Sequence, residues 1–250
     1  MSLAGKRVVV TRAPHQAGGL AEILRQRGAE PLLFPCIDVA PPENTAPLDS
    51  ALQTIEQFEW LVLTSTNTVI ALKQRLQFLA IDAARLAHLH VGAVGRRTAK
   101  AAASRLHVTV DVVPDEQTAE GLAATLPDMR GKQILLPQST IARDVLRDTL
   151  TASGADVTAV DAYQTVTGSG GMSTDAVKRA DAVTFTSPSA VRGFVERCGN
   201  LLDLLVACIG PTTAAAAREA GFSNVAEPDS DYSLVGMLNV LEENLLETVP

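Results

Sequence analysis

The stretch Asp181-Ala-Val-Thr-Phe-Thr-Ser-Pro-Ser-Ala-Val191 decides the fold. The apolar run 182–185 has strand length. Thr186 and Ser187 end it, and Pro188 suits the first turn of a helix, where its missing N–H costs nothing. A hydroxyl just ahead of a helix satisfies one of the orphan N–H groups of the first turn. A strand that delivers a helix N-terminus to the edge of a parallel sheet makes a ready anion site. The stretch Glu59-Trp-Leu-Val-Leu-Thr-Ser-Thr-Asn-Thr-Val69 has the same design 122 residues earlier, with Thr64, Ser65, Asn67 and Val69 matching Thr186, Ser187, Ser189 and Val191.

Working outward, the duplication extends along the chain. Gly5-Lys6, Leu20 and Gly28-Ala29 recur 126 residues later as Gly131-Lys132, Leu146 and Gly154-Ala155. Gly95, Thr98, Thr118 and Gly121 recur 115 residues later as Gly210, Thr213, Ser233 and Gly236. Two degenerate halves, about 5–129 and 131–242, are therefore expected. In the first, periodicity predicts strands at 7–11, 31–34, 90–94 and 109–113, and helices at 14–27, 67–79, 97–105 and 119–129. In the second it predicts strands at 133–136, 156–160, 205–209 and 224–226, and helices at 142–152, 190–198, 213–220 and 233–245. Gly28 is placed as a C-cap. The proline-punctuated 37–40 and the segment 161–167 read as extended passages, and 168–171 as a flexible glycine link. Alternating strands and helices imply α/β domains with doubly wound parallel sheets covered on both faces.

Composition narrows the function. The chain has 250 residues, 46% hydrophobic and 4% aromatic, enough for two chiefly aliphatic cores. A formal charge of −7 argues against nucleic acid as a partner. No apolar run reaches membrane-spanning length, and no leader layout precedes the first strand, so no membrane association and a cytoplasmic location are expected. Cys36, Cys198 and Cys208 lack metal spacing and read as reduced core thiols. No dinucleotide or Walker loop is present, and neither the pair His88 and His90 nor any serine has the surroundings of a metal site or nucleophile elbow. No cofactor and no metal are expected.

What remains is a set of hydroxyls at strand ends: Thr11, Thr64, Ser65, Thr98, Ser187, Ser189 and Thr213. Singly, each reads as a helix cap. Together, on two domains that face each other, they would line a cleft suited to a ligand with many carboxylates, because helix N-termini favour anions. Tyr163 lies in the second passage, where a phenol can donate a proton. The competing reading is an amphipathic linker residue resting on a domain edge.

These residues resemble the uroporphyrinogen-III synthase family over nearly the whole chain. The likeness rests on Val10-Thr-Arg12, Leu63-Thr-Ser-Thr-Asn-Thr-Val69, Ala93-Val-Gly-Arg-Arg-Thr-Ala99, Ala162-Tyr-Gln-Thr165, Phe185-Thr-Ser-Pro-Ser-Ala-Val191 and Ile209-Gly-Pro-Thr-Thr-Ala214. It implies two flavodoxin-like domains, three-layer α/β/α, of strand order 2-1-3-4-5. One is formed by 1–36 with 168–250 and the other by 37–167, which includes crossover strands 37–40 and 161–167 pairing as a short antiparallel ladder. It also implies a cofactor-free reaction. Hydroxymethylbilane, a linear tetrapyrrole with eight carboxylates, loses hydroxide from ring A, inverts ring D through a spiro intermediate and closes to uroporphyrinogen III.

By the same resemblance Tyr163 maps onto the proton donor. Thr98, Thr213, Thr64, Ser65, Asn67, Ser187 and Ser189 map onto substrate contacts. Gln138-Ser139 stands where many members have Arg-Gly, leaving Arg12 and Arg143 as carboxylate partners beside Gln138. A monomer is expected, with substrate handed over by hydroxymethylbilane synthase. The alternative is a two-domain small-anion binding or regulatory protein without catalysis.

Overall fold

The computed structural model describes residues 3–199 and 204–247. In chain order the elements are β1 (Arg7–Val10), α1 (Pro14–Gln26), β2 (Glu30–Leu33), β3 (Ile37–Ala40), α2 (Ala46–Gln53), β4 (Trp60–Leu63), α3 (Thr66–Phe78), β5 (His90–Ala93), α4 (Arg96–Leu106) and α5 (Ala119–Thr125). There follow β6 (Gln133–Ser139), α6 (Val145–Ala152), β7 (Asp156–Thr167), α7 (Thr174–Lys178), β8 (Ala182–Phe185), α8 (Pro188–Cys198), β9 (Leu205–Cys208), α9 (Pro211–Glu219), β10 (Val225–Ala226) and α10 (Leu234–Glu247). Backbone contacts divide the chain into one unit of Met1–Asp38 with Thr165–Pro250 and a second of Val39–Gln164.

The first unit is built on a sheet of order β10-β9-β8-β1-β2, in which every pair of known register is parallel. Counted within the unit this is 2-1-3-4-5, the doubly wound order. Val8, Val9 and Val10 are all buried, as a central parallel strand requires. Their alternation splits them between two cores. Val9 joins Phe185, Phe194 and Phe222 on one face, and Val8 and Val10 join Leu20, Leu24, Leu238 and Leu241 on the other. Gly28 ends α1 with φ 86° and a Schellman closure, its N–H bonding the Arg25 carbonyl while Ala29 N–H reaches Leu24. Gly154 ends α6 in the same way.

The second unit has the order β3-β7-β6-β4-β5, again with two faces. Leu61, Leu63 and Leu135 pack under α3 and α4, and Val62, Ile134 and Leu136 under α5 and α6. Four expectations need correcting here. The strand expected at 109–113 is a single bridge between Gly92 and Val112. Its ladder fails because the Asp111 carboxylate, at 2.8 Å, takes the Val91 N–H that a backbone carbonyl would have taken. The helix expected at 119–129 ends at Thr125, since Leu126 is extended ahead of Pro127. The helix expected at 142–152 starts at Val145, which leaves Arg143 in a turn. The passage 161–167 is no separate linker but the continuation of β7, a strand of 12 residues.

The glycine link 168–171 also differs from expectation, because it is tied down inside the first unit. Gly168 N–H bonds the Cys36 carbonyl at 3.0 Å, and Met172 N–H bonds that of Leu33 at 2.8 Å. A Cβ on Gly168 would lie 2.4 Å from the Pro35 carbonyl oxygen, so glycine is needed for close approach, not for looseness. Arg197 secures the same place. It donates to the Pro35 and Gly170 carbonyls and stacks 3.8 Å over the Phe34 ring. The short helices α2 and α7 have no counterpart among the elements expected from periodicity.

Candidate functional site

In the second unit the strand ends converge as parallel-sheet geometry dictates. β4 ends at Leu63, so Thr64 and Ser65 stand at its carboxyl end, with Ser65 as the N-cap of α3. Ser65 Oγ accepts the Thr68 N–H at 3.1 Å and lies 3.0 Å from Thr68 Oγ1. The same oxygen lies 3.2 Å from the Tyr163 hydroxyl. Tyr163 is 8% exposed and belongs to the core beneath α3 and α4. Its place on β7 is set by the neighbouring strand. Gln138 pairs with Asp161, the register slips by one residue, and Ser139 pairs with Tyr163. Thr140 N–H then bonds the Tyr163 carbonyl at 3.0 Å.

Of the expected site residues in this unit, the structure therefore brings Tyr163 and Ser65 into contact and puts Gln138 opposite Asp161, one residue before the Ser139–Tyr163 pair. Thr64 is half-buried next to Ser65, and Asn67 is half-buried in the first turn of α3. Arg143 is exposed in its turn. The ring of Tyr163 also lines a cavity of about 170 Å³ with Pro41, Leu48, Ala71, Arg75 and Phe78. Arg75 is held there by Asp49 and Thr45, and its hydrogen bond keeps the Asp49 carboxyl below the usual carboxylate range. That cation is already neutralised and is not offered to a carboxylate ligand.

Ser65→Ala removes the cap of α3 and the partner of Tyr163 together. Loss of an N-cap costs about 0.5–2 kcal/mol, and the variant should show it as a lower urea midpoint at unchanged slope. A midpoint equal to that of the parent would mean that Ser65 caps nothing that matters.

Thr98 lies in the first turn of α4, at the end of β5. It is 6% exposed, and no hydrogen bond satisfies its hydroxyl among the described residues. Gly95 precedes the helix, and the Gln117 amide oxygen leans over it, accepting the Arg96 N–H at 3.0 Å. A Cβ on Gly95 would sit 2.7 Å from that oxygen.

Arg96 and Arg97 are absent from the expected site residues, although the sequence carries a signal for them. They are the first two residues of α4, and no acidic residue stands in that turn. Cations at a helix N-terminus oppose its dipole, at about 0.3–1 kcal/mol each on a surface.

The first unit carries its own set. Ser187 caps α8, accepting the Ala190 N–H at 3.2 Å. Ser189 Oγ accepts from Arg192 at 3.1 Å. Arg12 is half-buried just past β1 and donates to Gln16 at 3.2 Å. Thr213 is 4% exposed in the first turn of α9, and its hydroxyl too has no partner among the described residues. Thr11 has a structural task. Its hydroxyl donates to the Thr184 carbonyl at 2.6 Å while Thr184 donates to that of Val9 at 2.8 Å, bracing β1 against β8. Over Gly210 lies the Tyr232 ring, 3.1 Å from where a Cβ would be, with its hydroxyl donated to the Asp229 carbonyl at 3.0 Å.

Cys36 and Cys208 are core thiols, and Cys198 is half-buried at the edge of the same core. Burial raises Cys36 well above the ordinary thiol range and pushes Cys208 up to about 12, so neither is a thiolate near neutrality. His88 bonds backbone carbonyls of Arg85 and Phe58, and His90 packs on Trp60.

The chain is thus a protein of doubly wound α/β units whose strand-end turns carry hydroxyls in place of glycine-rich phosphate loops. The family model for uroporphyrinogen-III synthase HemD matches residues 19–239. A uroporphyrinogen-III synthase of Synechococcus elongatus is 30% identical, covering 96% of this chain and 96% of that protein. The porphyrin biosynthesis protein HemD of Ruminiclostridium josui is 31% identical, covering 94% of this chain and 48% of that protein. The crystal structure of uroporphyrinogen-III synthetase from Helicobacter pylori superposes with a TM-score of 0.63 at 17% identity, over 96% of this chain and 99% of that one. The chain belongs to the uroporphyrinogen-III synthase family.

Proposed function

We propose that this chain converts hydroxymethylbilane to uroporphyrinogen III with inversion of ring D and loss of water, as a cyclising hydro-lyase of tetrapyrrole biosynthesis. The observation that carries the reading is the family match across 19–239. The contact of Tyr163 with Ser65 at 3.2 Å gives the reaction a local chemistry. In it, the pyrrole nitrogen of ring A pushes out the hydroxyl, which leaves as water with a proton supplied by Tyr163. Departing as water is far easier than departing as hydroxide, so a positioned general acid acts on this step. The hydroxyls of Thr64, Ser65 and Thr98 with the amides of Asn67 and Gln138 in one unit, and the hydroxyls of Ser187, Ser189 and Thr213 with Arg12 in the other, are assigned to carboxylates or pyrrole N–H groups. Arg143, exposed beside Gln138-Ser139, supplies the charge that many relatives place on the strand end. Positioning matters as much as rate, because the linear tetrapyrrole closes by itself to the uninverted isomer.

We assign the protein to the cytoplasm as a monomer that takes its substrate from hydroxymethylbilane synthase. The net charge of −7 supports a small-molecule partner over nucleic acid, and no helix among the described residues is long and apolar enough to cross a membrane. The test is to supply freshly made hydroxymethylbilane without added metal or nucleotide and to separate the isomers. Isomer III should dominate. Isomer I alone, at the spontaneous rate, would overturn the reading in favour of a binding or regulatory protein.

A further inference from the structure

We infer that Arg96, Arg97 and Lys100 form the surface that receives the substrate's carboxylates, setting affinity and capture and leaving the chemical step alone. This rests on the reading of the substrate as a polycarboxylate. Lys100 is four residues from Arg96 and three from Arg97 on α4, so the three are neighbours on one helix face, with Cβ atoms roughly 5–6 Å apart. All three are exposed. Neither α3 nor α4 contains an acidic residue, and none of the three makes an ion pair among the described residues. Asp115 and Glu116, on the loop that brings Gln117 to the Arg96 N–H, pair with neither arginine.

Three further cations of α3 and α4 have ordinary explanations. Arg105 and His107 sit at the C-terminal end of α4, where the dipole favours them, and Arg75 is bound to Asp49. The trio has none. Two of its members oppose the dipole, and Lys100 adds like-charge repulsion to both. In a chain of net charge −7 this is a cluster that destabilises its own helix and attracts anions. Its place points to which anion. α4 starts at the carboxyl end of β5, next to β4, whose end carries Thr64 and Ser65. Thr98 in the same turn is 6% exposed, and its hydroxyl bonds no protein group among the described residues. Gln117 already occupies the first N–H of the helix, so the charged groups offered to an anion there are the side chains of the trio.

A cluster kept for a ligand at the expense of stability leaves a signature that a structural role does not. Arg96→Gln with Arg97→Gln should raise KM about tenfold or more at nearly unchanged kcat, and should flatten the dependence of KM on ionic strength. Arg96→Glu with Arg97→Glu should do the same while raising Tm by about 2–4 °C. Lysine at both positions should keep the salt dependence. The same variants are titrated with uroporphyrin I, an octacarboxylate whose fluorescence reports binding without turnover, with heparin as competitor. The isomer formed by the parent protein decides the reading of the reaction, and binding of uroporphyrin I decides this inference independently of it. Unchanged KM, salt dependence and uroporphyrin affinity in the glutamine variant would overturn it. So would a lower Tm in the glutamate variant, or heparin competing as strongly as uroporphyrin I, which would make the face a general polyanion surface.

Discussion

Tyr163→Phe is expected to lower turnover on the order of 10²-fold while product isomer III and the affinity for uroporphyrin I stay as they are. The Ser65 hydroxyl has one proton and two acceptor sites. One site is taken by the Thr68 N–H at 3.1 Å. The proton can go to Thr68 Oγ1 at 3.0 Å or to Tyr163 at 3.2 Å. When it goes to Tyr163, the phenol accepts from Ser65, and its own O–H is free to donate to a departing hydroxyl. A general acid so placed contributes about 10²–10⁴-fold, and the low end is expected because the pyrrole nitrogen assists departure.

The isomer should not change, because inversion of ring D depends on how the rings are held and not on who protonates the leaving group. Loss of one oxygen should cost the fold about 0.5–1.5 kcal/mol, the worth of one hydrogen bond. Turnover at the parent rate with normal uroporphyrin I binding would reduce Tyr163 to a core residue capped by Ser65. Its burial at 8% exposure makes that the reading to beat.

Phe194→Ala should destabilise the first unit by about 3–5 kcal/mol, against a total of about 5–15 kcal/mol for a typical domain. Phe194 is fully buried on α8. Its ring meets Phe185 edge-on with centroids 5.4 Å apart, and Phe34 and Phe222 each at 6.1 Å. Four of the six phenylalanines in the chain thus form one cluster, and removing its centre leaves a cavity that three rings cannot fill without leaving their rotamers. The preceding residue on the helix leaves no room to adjust, because a Cβ on Gly193 would lie 1.9 Å from the Cys36 carbonyl oxygen. Phe78 is the control, 74% exposed and stacked under Arg75 at 4.4 Å. Phe78→Ala should move the urea midpoint little. Equal midpoints for the two variants would show that the cluster is not what holds the unit together.

Much of this was legible in the chain because it is local. The caps Ser65 and Ser187 bond N–H groups three residues on, and the Schellman turns at Gly28 and Gly154 close over five residues, so each can be read in a window shorter than a helix. Strand and helix alternation is equally local and announces parallel sheets covered on both faces, whereas the order of the first sheet was implied by the family resemblance. The missed pair Arg96 and Arg97 was also within reach, since their conflict with the dipole needs no coordinates.

The tertiary structure alone decided the rest, and in each case the cause is a partner far away in sequence. Tyr163 meets Ser65 across 98 residues through a register slip between Gln138 and Ser139, which no periodicity encodes. The run 109–113 has strand composition, yet the Asp111 side chain supplants its ladder, a competition settled by where Val91 happens to lie. Residues 168–171 have the composition of a loose linker and are held fast, because the carbonyls of Leu33 and Cys36 offer them hydrogen bonds and Arg197 closes over the same place. Local propensity sets which elements form. Unsatisfied backbone groups and close approaches between distant segments set where each chemical group ends up.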